Sequence, residues 1–271
     1  MYVCLTASSL RICEKRSSFS LVARREKKLR EVAEKAREFG SPDAIIVCGD
    51  VSKSNDCKRF VEETVNHFGR LNHLVNNAGI NSGFYFEESK DISSSIPVMD
   101  VNFWGSIYPT QFALPQLIKN KGKIVVVASP AGWLYGPCTS IYGASKAALV
   151  NFYDTLRVEF GSSVTITIAS PGYTDSEMTQ GKHLTLEGIV EVNTKLRDAV
   201  IGIFPVKSAS ECCKNILNAV CRGDRYVTDP SWFTSVYVCK FFIPEIVEWF
   251  FGLLLVILPS NFMKNAAANT N

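Results

Sequence analysis

Tyr142 and Lys146 stand four residues apart in the segment YGASK. On a helix that spacing puts both side chains on one face. A free tyrosine titrates near pH ~10, too high for an acid–base group at neutral pH. A neighbouring ammonium favours phenolate and pulls that value down. Such a phenol can take the proton of an alcohol, or return one to a carbonyl. Ser129 lies thirteen residues upstream, at the end of the apolar run KIVVVA. A hydroxyl beyond the carboxyl end of a strand faces the usual ligand crevice of an open α/β sheet. There it can donate a hydrogen bond to a developing alkoxide. Y-x-x-x-K alone also describes a surface tyrosine above a solvated lysine. The serine at the strand end makes the combination far more specific.

The elements that must hold these groups alternate between apolar runs and amphipathic stretches, the mark of repeated βα units and a parallel sheet. Residues 19–23 and 44–48 (AIIVC) read as strands. Between them Leu29, Val32, Ala33 and Ala36 keep helical spacing, and Gly40 is a natural stop. Ser52 is a candidate cap for a helix with the apolar face Cys57, Phe60, Val61, Val65 and Phe68, ended by Gly69. A helix is expected over 99–118, bent or broken by Pro109 and Pro115. The β-branched run 123–128 suits a strand covered on both faces. Residues 141–160 and 211–221 read as helices, and 164–169 and 225–228 as strands. Pro230 is the expected boundary between a domain over 1–230 and a hydrophobic tail over 231–271.

The 271 residues are 46% hydrophobic and 20% charged, ordinary for one globular domain of this length. A net charge of +3, dispersed along the chain, gives no footprint for nucleic acid. Nine cysteines without a C-x-x-C pair read as reduced thiols, with Cys48 expected to be buried in its apolar run. His67, His73 and His183 lack ligand-like spacing, so no metal is expected.

NNAG at 76–79, Asn102 within MDVNFWG, Ser129 and YGASK together resemble the short-chain dehydrogenase/reductase family. GDVS around Asp50 and the Pro171-Gly172 pair fit the same pattern, in the family's order from about residue 21 to 228. The resemblance implies an α/β fold, a Rossmann-like doubly wound parallel sheet. It implies Tyr142 as the acid–base, Lys146 as its partner and nicotinamide-ribose ligand, Ser129 as the group orienting substrate, and Asn102 as holder of a proton-relay water. Asn77, Ala78 and Gly79 would line the cofactor cleft, with Pro171 and Gly172, and Asp50 and Val51 would meet the adenine. An acidic residue after the second strand suits unphosphorylated NAD, whereas arginine suits a 2′-phosphate. Arg24 and Arg25 hold that place, so NADP(H) is the expected cofactor; the other reading of the pair is a solvated basic turn.

Within the family, LVARRE, NFWG and PEIVEW are most similar to plant 11-beta-hydroxysteroid dehydrogenase-like proteins, the steroleosins. That implies a lipophilic, sterol-like hydroxyl or ketone substrate, a homodimer, and a cytosol-facing place on endoplasmic reticulum or lipid droplet, with the cytoplasm as the alternative. Those relatives carry a hydrophobic N-terminal anchor, and this sequence shows none. Residues 241–258 (FFIPEIVEWFFGLLLVIL) are interrupted by Pro244, Glu245 and Glu248, and the unbroken run falls short of the roughly 20 residues a spanning helix needs. They read either as a segment lying in a membrane interface or as a terminal helix packed on the domain. Trp133, Leu134 and Tyr135 are candidates for an apolar wall beside the substrate, and 174–204 for its variable lid.

The resemblance fails at the start. Residues 5–14, LTASSLRICE, look like a TGASSGIGE phosphate loop that has lost every glycine, and the helix expected to follow is about two turns too short. Side chains at those positions crowd the approach of backbone amides to a pyrophosphate, although Ser8 and Ser9 could still contact it. The first βα unit therefore reads as truncated. A catalytically impaired remnant, serving as a scaffold at a lipid surface or in a dimer, is the competing reading.

Overall fold

The computed structural model describes residues 2–3, 17–201 and 204–257. Ser8 and Ser9, with the rest of the truncated phosphate loop, lie outside the described residues. The central sheet has seven parallel strands: β1 (Tyr2–Val3), β2 (Phe19–Ala23), β3 (Ala44–Cys48), β4 (His73–Asn76), β5 (Lys123–Val127), β6 (Thr165–Pro171) and β9 (Tyr226–Asp229). Their order, β3-β2-β1-β4-β5-β6-β9, is that of a doubly wound sheet whose direction of winding reverses at β1 and β4. A separate hairpin pairs β7 (Lys182–Leu184) with β8 (Val190–Val192).

The strand β2 shows why helices cover both faces. Its alternation sends Phe19 and Leu21 to a cluster with Leu29, Ala33 and Ala36 of helix α1 (Glu26–Glu38). Val22 joins the opposite cluster, and Ser20 on that same face is 2.6 Å from the Thr64 hydroxyl of helix α2 (Ser54–Phe68). The larger cluster is built from α2, α4 (Gly105–Lys119), α5 (Ser140–Phe160) and the inner residues of β4, β5 and β6. Burying a leucine such as Leu71, Leu74 or Leu117 there contributes about 2 kcal/mol.

Three local expectations need correction. Ser52 does not cap α2: that helix starts at Ser54 with Lys53 before it, and Ser52 instead bonds to Asp50 Oδ1 through both its N–H, at 2.9 Å, and its hydroxyl, at 2.8 Å. An Asx turn has outcompeted the helix for that serine. Cys48 is exposed, because it closes β3 at the open edge of the sheet. Pro109 and Pro115 do not break the helix, which runs through both. The irregularity falls just before it, where α3 (Ile96–Met99) widens into one π turn at Asp100–Trp104. That turn carries Asn102.

Between β6 and β9 lie the hairpin, α6 (Thr194–Ile201) and α7 (Ala209–Arg222). The base of this excursion is tied: Lys207 N–H donates to Tyr173 O at 2.9 Å, and Asp175 N–H to Lys207 O at 2.8 Å. The chain ends in α8 (Phe233–Phe242) and α9 (Pro244–Ile257). Among the described residues no helix is long and apolar enough to cross a membrane.

Candidate active site

Ser129 follows β5 at the carboxyl edge of the sheet, where its Oγ accepts the Ala131 N–H at 3.2 Å. This capping bond fixes the hydroxyl at the strand tip. Tyr142, on the first turns of α5, reaches across toward Ser129, whose hydroxyl is near enough to pull on its phenol. Lys146, one turn further on the same face, is only 3% exposed. Its Nζ donates to Val127 O at 2.9 Å and sits 5.8 Å from the centre of the Tyr142 ring. The three groups paired by spacing in the sequence thus meet at one strand end.

The electrostatics differ from the simple expectation of a depressed phenol. Burial pushes the Tyr142 phenol above its ordinary value, against a smaller opposite pull from Ser129. Burial also lowers Lys146 to about 8. Removal from water disfavours the charged form of each group. The phenol is held in its neutral form, while Lys146 keeps its proton below about pH 8.

Asn102 is fully buried. Its Oδ1 accepts the Ile80 N–H at 2.8 Å, while Nδ2 donates to Ile80 O at 3.0 Å and to Ser145 Oγ at 2.9 Å. Ser145 in turn donates to Tyr142 O at 2.7 Å. Asn102 therefore clamps the loop after β4 to the helix that carries Tyr142. Its backbone carbonyl accepts the Ser106 hydroxyl at 3.1 Å.

Gly79 closes this corner. A Cβ placed on it would meet Asn102 Oδ1 at 3.4 Å and Lys146 Nζ at 3.5 Å, so the Gly79 backbone lies directly against the ammonium. Lys146 has three N–H donors, one of which Val127 takes. A ribose hydroxyl fits that donor set. Asn77 and Ala78 precede Gly79 on the same loop, and Pro171 ends β6 on the same edge. Gly172 has an observed packing role: a Cβ there would lie 2.6 Å from the Phe233 ring of α8.

At the other end of the edge, Asp50 and Val51 follow β3, and Asp50 is bound to Ser52 as described. Arg24 Nη1 is 4.0 Å from Asp50 Oδ2, whereas Arg25 Nη1 is 2.6 Å from Glu177 Oε1 in the segment after β6. The adjacent guanidiniums thus serve different partners.

The matches to known proteins follow this geometry. Residues 6–186 match the short chain dehydrogenase family. The chain belongs to that family. As a short-chain dehydrogenase it is 54% identical over 230 residues to 11-beta-hydroxysteroid dehydrogenase 1A of Arabidopsis thaliana, covering 85% of this chain and 66% of that protein. It is 52% identical over 240 residues to 11-beta-hydroxysteroid dehydrogenase A of Arachis hypogaea, covering 89% and 69%. The chain thus spans about two thirds of the length of these relatives. Two solved structures share the fold. One is a short chain dehydrogenase/reductase from Burkholderia phymatum in complex with NAD, with a TM-score of 0.74 at 19% identity, covering 90% of this chain and 94% of that one. The other is an alcohol dehydrogenase from Thermococcus sibiricus complexed with 5-hydroxy-NADP, with a TM-score of 0.61 at 21% identity, covering 76% and 93%.

Several contributors to this dehydrogenase's site escaped the sequence reading. Ser145 lies inside the YGASK segment and was passed over. Asn76, the first residue of NNAG, is buried with its Nδ2 2.9 Å from both Thr110 Oγ1 and Tyr153 OH, which anchors β4 to α4 and α5. Tyr173, directly after Gly172, is pushed up to about 12 by burial and by its neighbour Tyr142, and its ring stacks on Phe204. Its place after Pro-Gly was the available signal. Trp133, Leu134 and Tyr135, expected as an apolar wall beside the substrate, line one cavity with Gly143, Ala144 and Lys240. Trp133 packs on Tyr226 and Tyr237, and Tyr135 on Phe251 of α9.

Proposed function

We propose that this short-chain dehydrogenase interconverts a hydroxyl and a ketone on a lipophilic, sterol-like substrate with NADP(H). The observation that carries the reading is the meeting of Ser129, Tyr142 and the buried Lys146 at the tip of β5, braced through Ser145 by Asn102. Bound NADP(H) would supply the hydride chemistry and, when oxidised, a positive ring. Ser129 Oγ donates to the substrate oxygen. Tyr142 Oη takes or returns that oxygen's proton, and Lys146 lowers the cost of the phenolate. Lys146 and Gly79 would hold the nicotinamide ribose, Asp50 and Val51 the adenine, and Arg24 and Arg25 the 2′-phosphate. The apolar substrate class rests on the identity to the plant proteins named above. The test is turnover of a panel of hydroxysteroids with NADP⁺ by wild type and Tyr142→Phe. Loss of turnover with cofactor binding retained supports the mechanism, and unchanged turnover overturns it.

The side chains at the glycine positions of LTASSLRICE favour a second reading, an impaired remnant that acts as a scaffold. Titration of NADPH fluorescence separates the two: micromolar binding favours the enzyme, and none at millimolar cofactor favours the remnant. A lipid-surface location is supported by the outward faces of α8 and α9, where Phe241 is 82% and Trp249 67% exposed. Flotation with phospholipid-coated droplets should fall when Phe241, Phe242 and Trp249 are replaced by serine. A homodimer is supported by the exposed Trp104, Ile118 and Val158 on and beside α4 and α5. Sedimentation of the full chain tests it.

A further inference from the structure

One ion pair at the carboxyl edge of the sheet joins segments far apart in sequence. Arg25 stands between β2 and α1, and Glu177 lies in the loop after β6. Each carboxylate oxygen of Glu177 takes one cation: Oε1 is 2.6 Å from Arg25 Nη1, and Oε2 is 2.6 Å from Lys182 Nζ. These two partners hold the carboxyl at about 2, well below its ordinary range. Lys182 opens β7, and two residues later the Leu184 N–H donates to Asn81 O at 2.8 Å. The 176–184 loop is therefore fastened at one end to the segment that follows NNAG and at the other to Arg25. Arg24 next door makes a looser 4.0 Å approach to Asp50.

On the reading above, Arg25 is where a ribose 2′-phosphate would bind. We infer that Glu177 is a specificity-determining residue: its carboxylate competes with the 2′-phosphate of NADP(H) for Arg25, so that the phosphorylated cofactor alone releases the 176–184 loop. A phosphate carries more charge than a carboxylate and matches guanidinium geometry as well, so it displaces Glu177. The displacement weakens its apparent affinity by what the exposed pair was worth, about two- to five-fold. NADH presents only hydroxyls there and leaves the pair intact. The loop belongs to the region expected to form the substrate lid, so the phosphate end of the cofactor is coupled to the substrate end of the cleft.

The experiment is a cycle of four full-length proteins, wild type, Glu177→Gln, Arg25→Ala and the double variant, titrated with NADPH and with NADH by fluorescence. Glu177→Gln should tighten NADPH about two- to five-fold and leave NADH unchanged. Arg25→Ala should weaken NADPH, and Glu177→Gln added to it should restore nothing. Hydrogen exchange in residues 176–181 of wild type, ahead of the β7–β8 hairpin, should speed up on adding NADPH but not NADH, and should be faster from the start in Glu177→Gln. Equal effects of Glu177→Gln on both cofactors, or a gain that survives without Arg25, overturn the competition while leaving the proposed cofactor standing. If Arg25→Ala changes neither cofactor's affinity, the assignment of the arginines falls and the competition falls with it.

Discussion

Asn102 and Lys146, at the catalytic end of the cleft, are 0% and 3% exposed, whereas Arg25 and Glu177, on the same sheet edge, keep 58% and 49% of their side-chain surface in solvent. The difference is one of what an unpaired group costs. A polar atom stranded at the buried end loses about 1–3 kcal/mol, so these side chains have fixed partners: Asn102 with Ile80 and Ser145, Lys146 with Val127. At the exposed end water can replace any partner, and an ion pair is worth about 0–1 kcal/mol. One end is suited to holding reacting atoms in place. The other is suited to exchanging partners when a charged ligand arrives.

The largest expected effect sharpens the buried side. Tyr142→Phe should lower turnover about 10²–10⁴-fold by removing the acid–base group, with NADPH affinity within a few-fold of wild type. Steady-state rates set against a fluorescence titration check this, and a parallel loss of binding would mean that Tyr142 is structural instead. Asn102→Ala comes next. It removes the partners of the Ile80 N–H and Ile80 O and one donor to Ser145 Oγ, which keeps Tyr142 O, so unfolding in urea should show a loss of about 2–4 kcal/mol. A loss below about 1 kcal/mol would show that the loop relaxes to water and that this end is less rigid than its burial implies.

The same contrast explains what the sequence made legible. Ser129, Tyr142 and Lys146 could be read from spacing, since helical periodicity and a strand end suffice to bring them together. The strands β3 and β5 were readable as apolar runs, which burial on both faces favours, and β6 from its alternation of Ile with Thr. The π turn under Asn102 was not readable, because no residue type demands it. Ser52 carried a capping signal, but Asp50 two residues before it offered a competing turn. Arg25 showed its charge and not its partner, which comes from a segment 152 residues away. Trp133 and Tyr135 showed apolar surface without a direction, and the partners that turn them toward β9 and the last helices lie about a hundred positions further along the chain.

Lys146 also allows a test by pH. Its ordinary value of 10.5 falls to about 8 through burial. Below pH 8 the lysine is protonated whether the chain is folded or not, and the folded state bears the cost of a buried charge. Between pH 8 and 10.5 the folded state sheds that proton first, so stability rises with pH over this window. The difference between wild type and Lys146→Met, from urea unfolding at intervals across the window, should shift toward wild type by at most about 3 kcal/mol. Taking the difference cancels the tyrosines and cysteines, which titrate in the same range with the opposite sign. A difference that stays flat with pH would mean that water reaches Nζ and that the catalytic end resembles its exposed counterpart.

The smallest effect probes the exposed end in acid. Glu177 falls from 4.5 to about 2 when folded, through Arg25 first and Lys182 second. A depressed carboxyl contributes its stability in full above pH 4.5 and loses it as pH falls toward 2. With half of the side chain in solvent, that contribution shrinks to under about 1 kcal/mol. Wild type should therefore exceed Glu177→Gln by a fraction of that at pH 6 and lose the margin as the pH approaches 2. About 1 M salt should erase the margin even at pH 6, because the Debye length there is about 3 Å. The Asn102→Ala loss, which involves no charge, should survive the same salt. If salt leaves the Glu177 margin intact, the pair is shielded from solvent, and the 176–184 loop is held as firmly as the catalytic end.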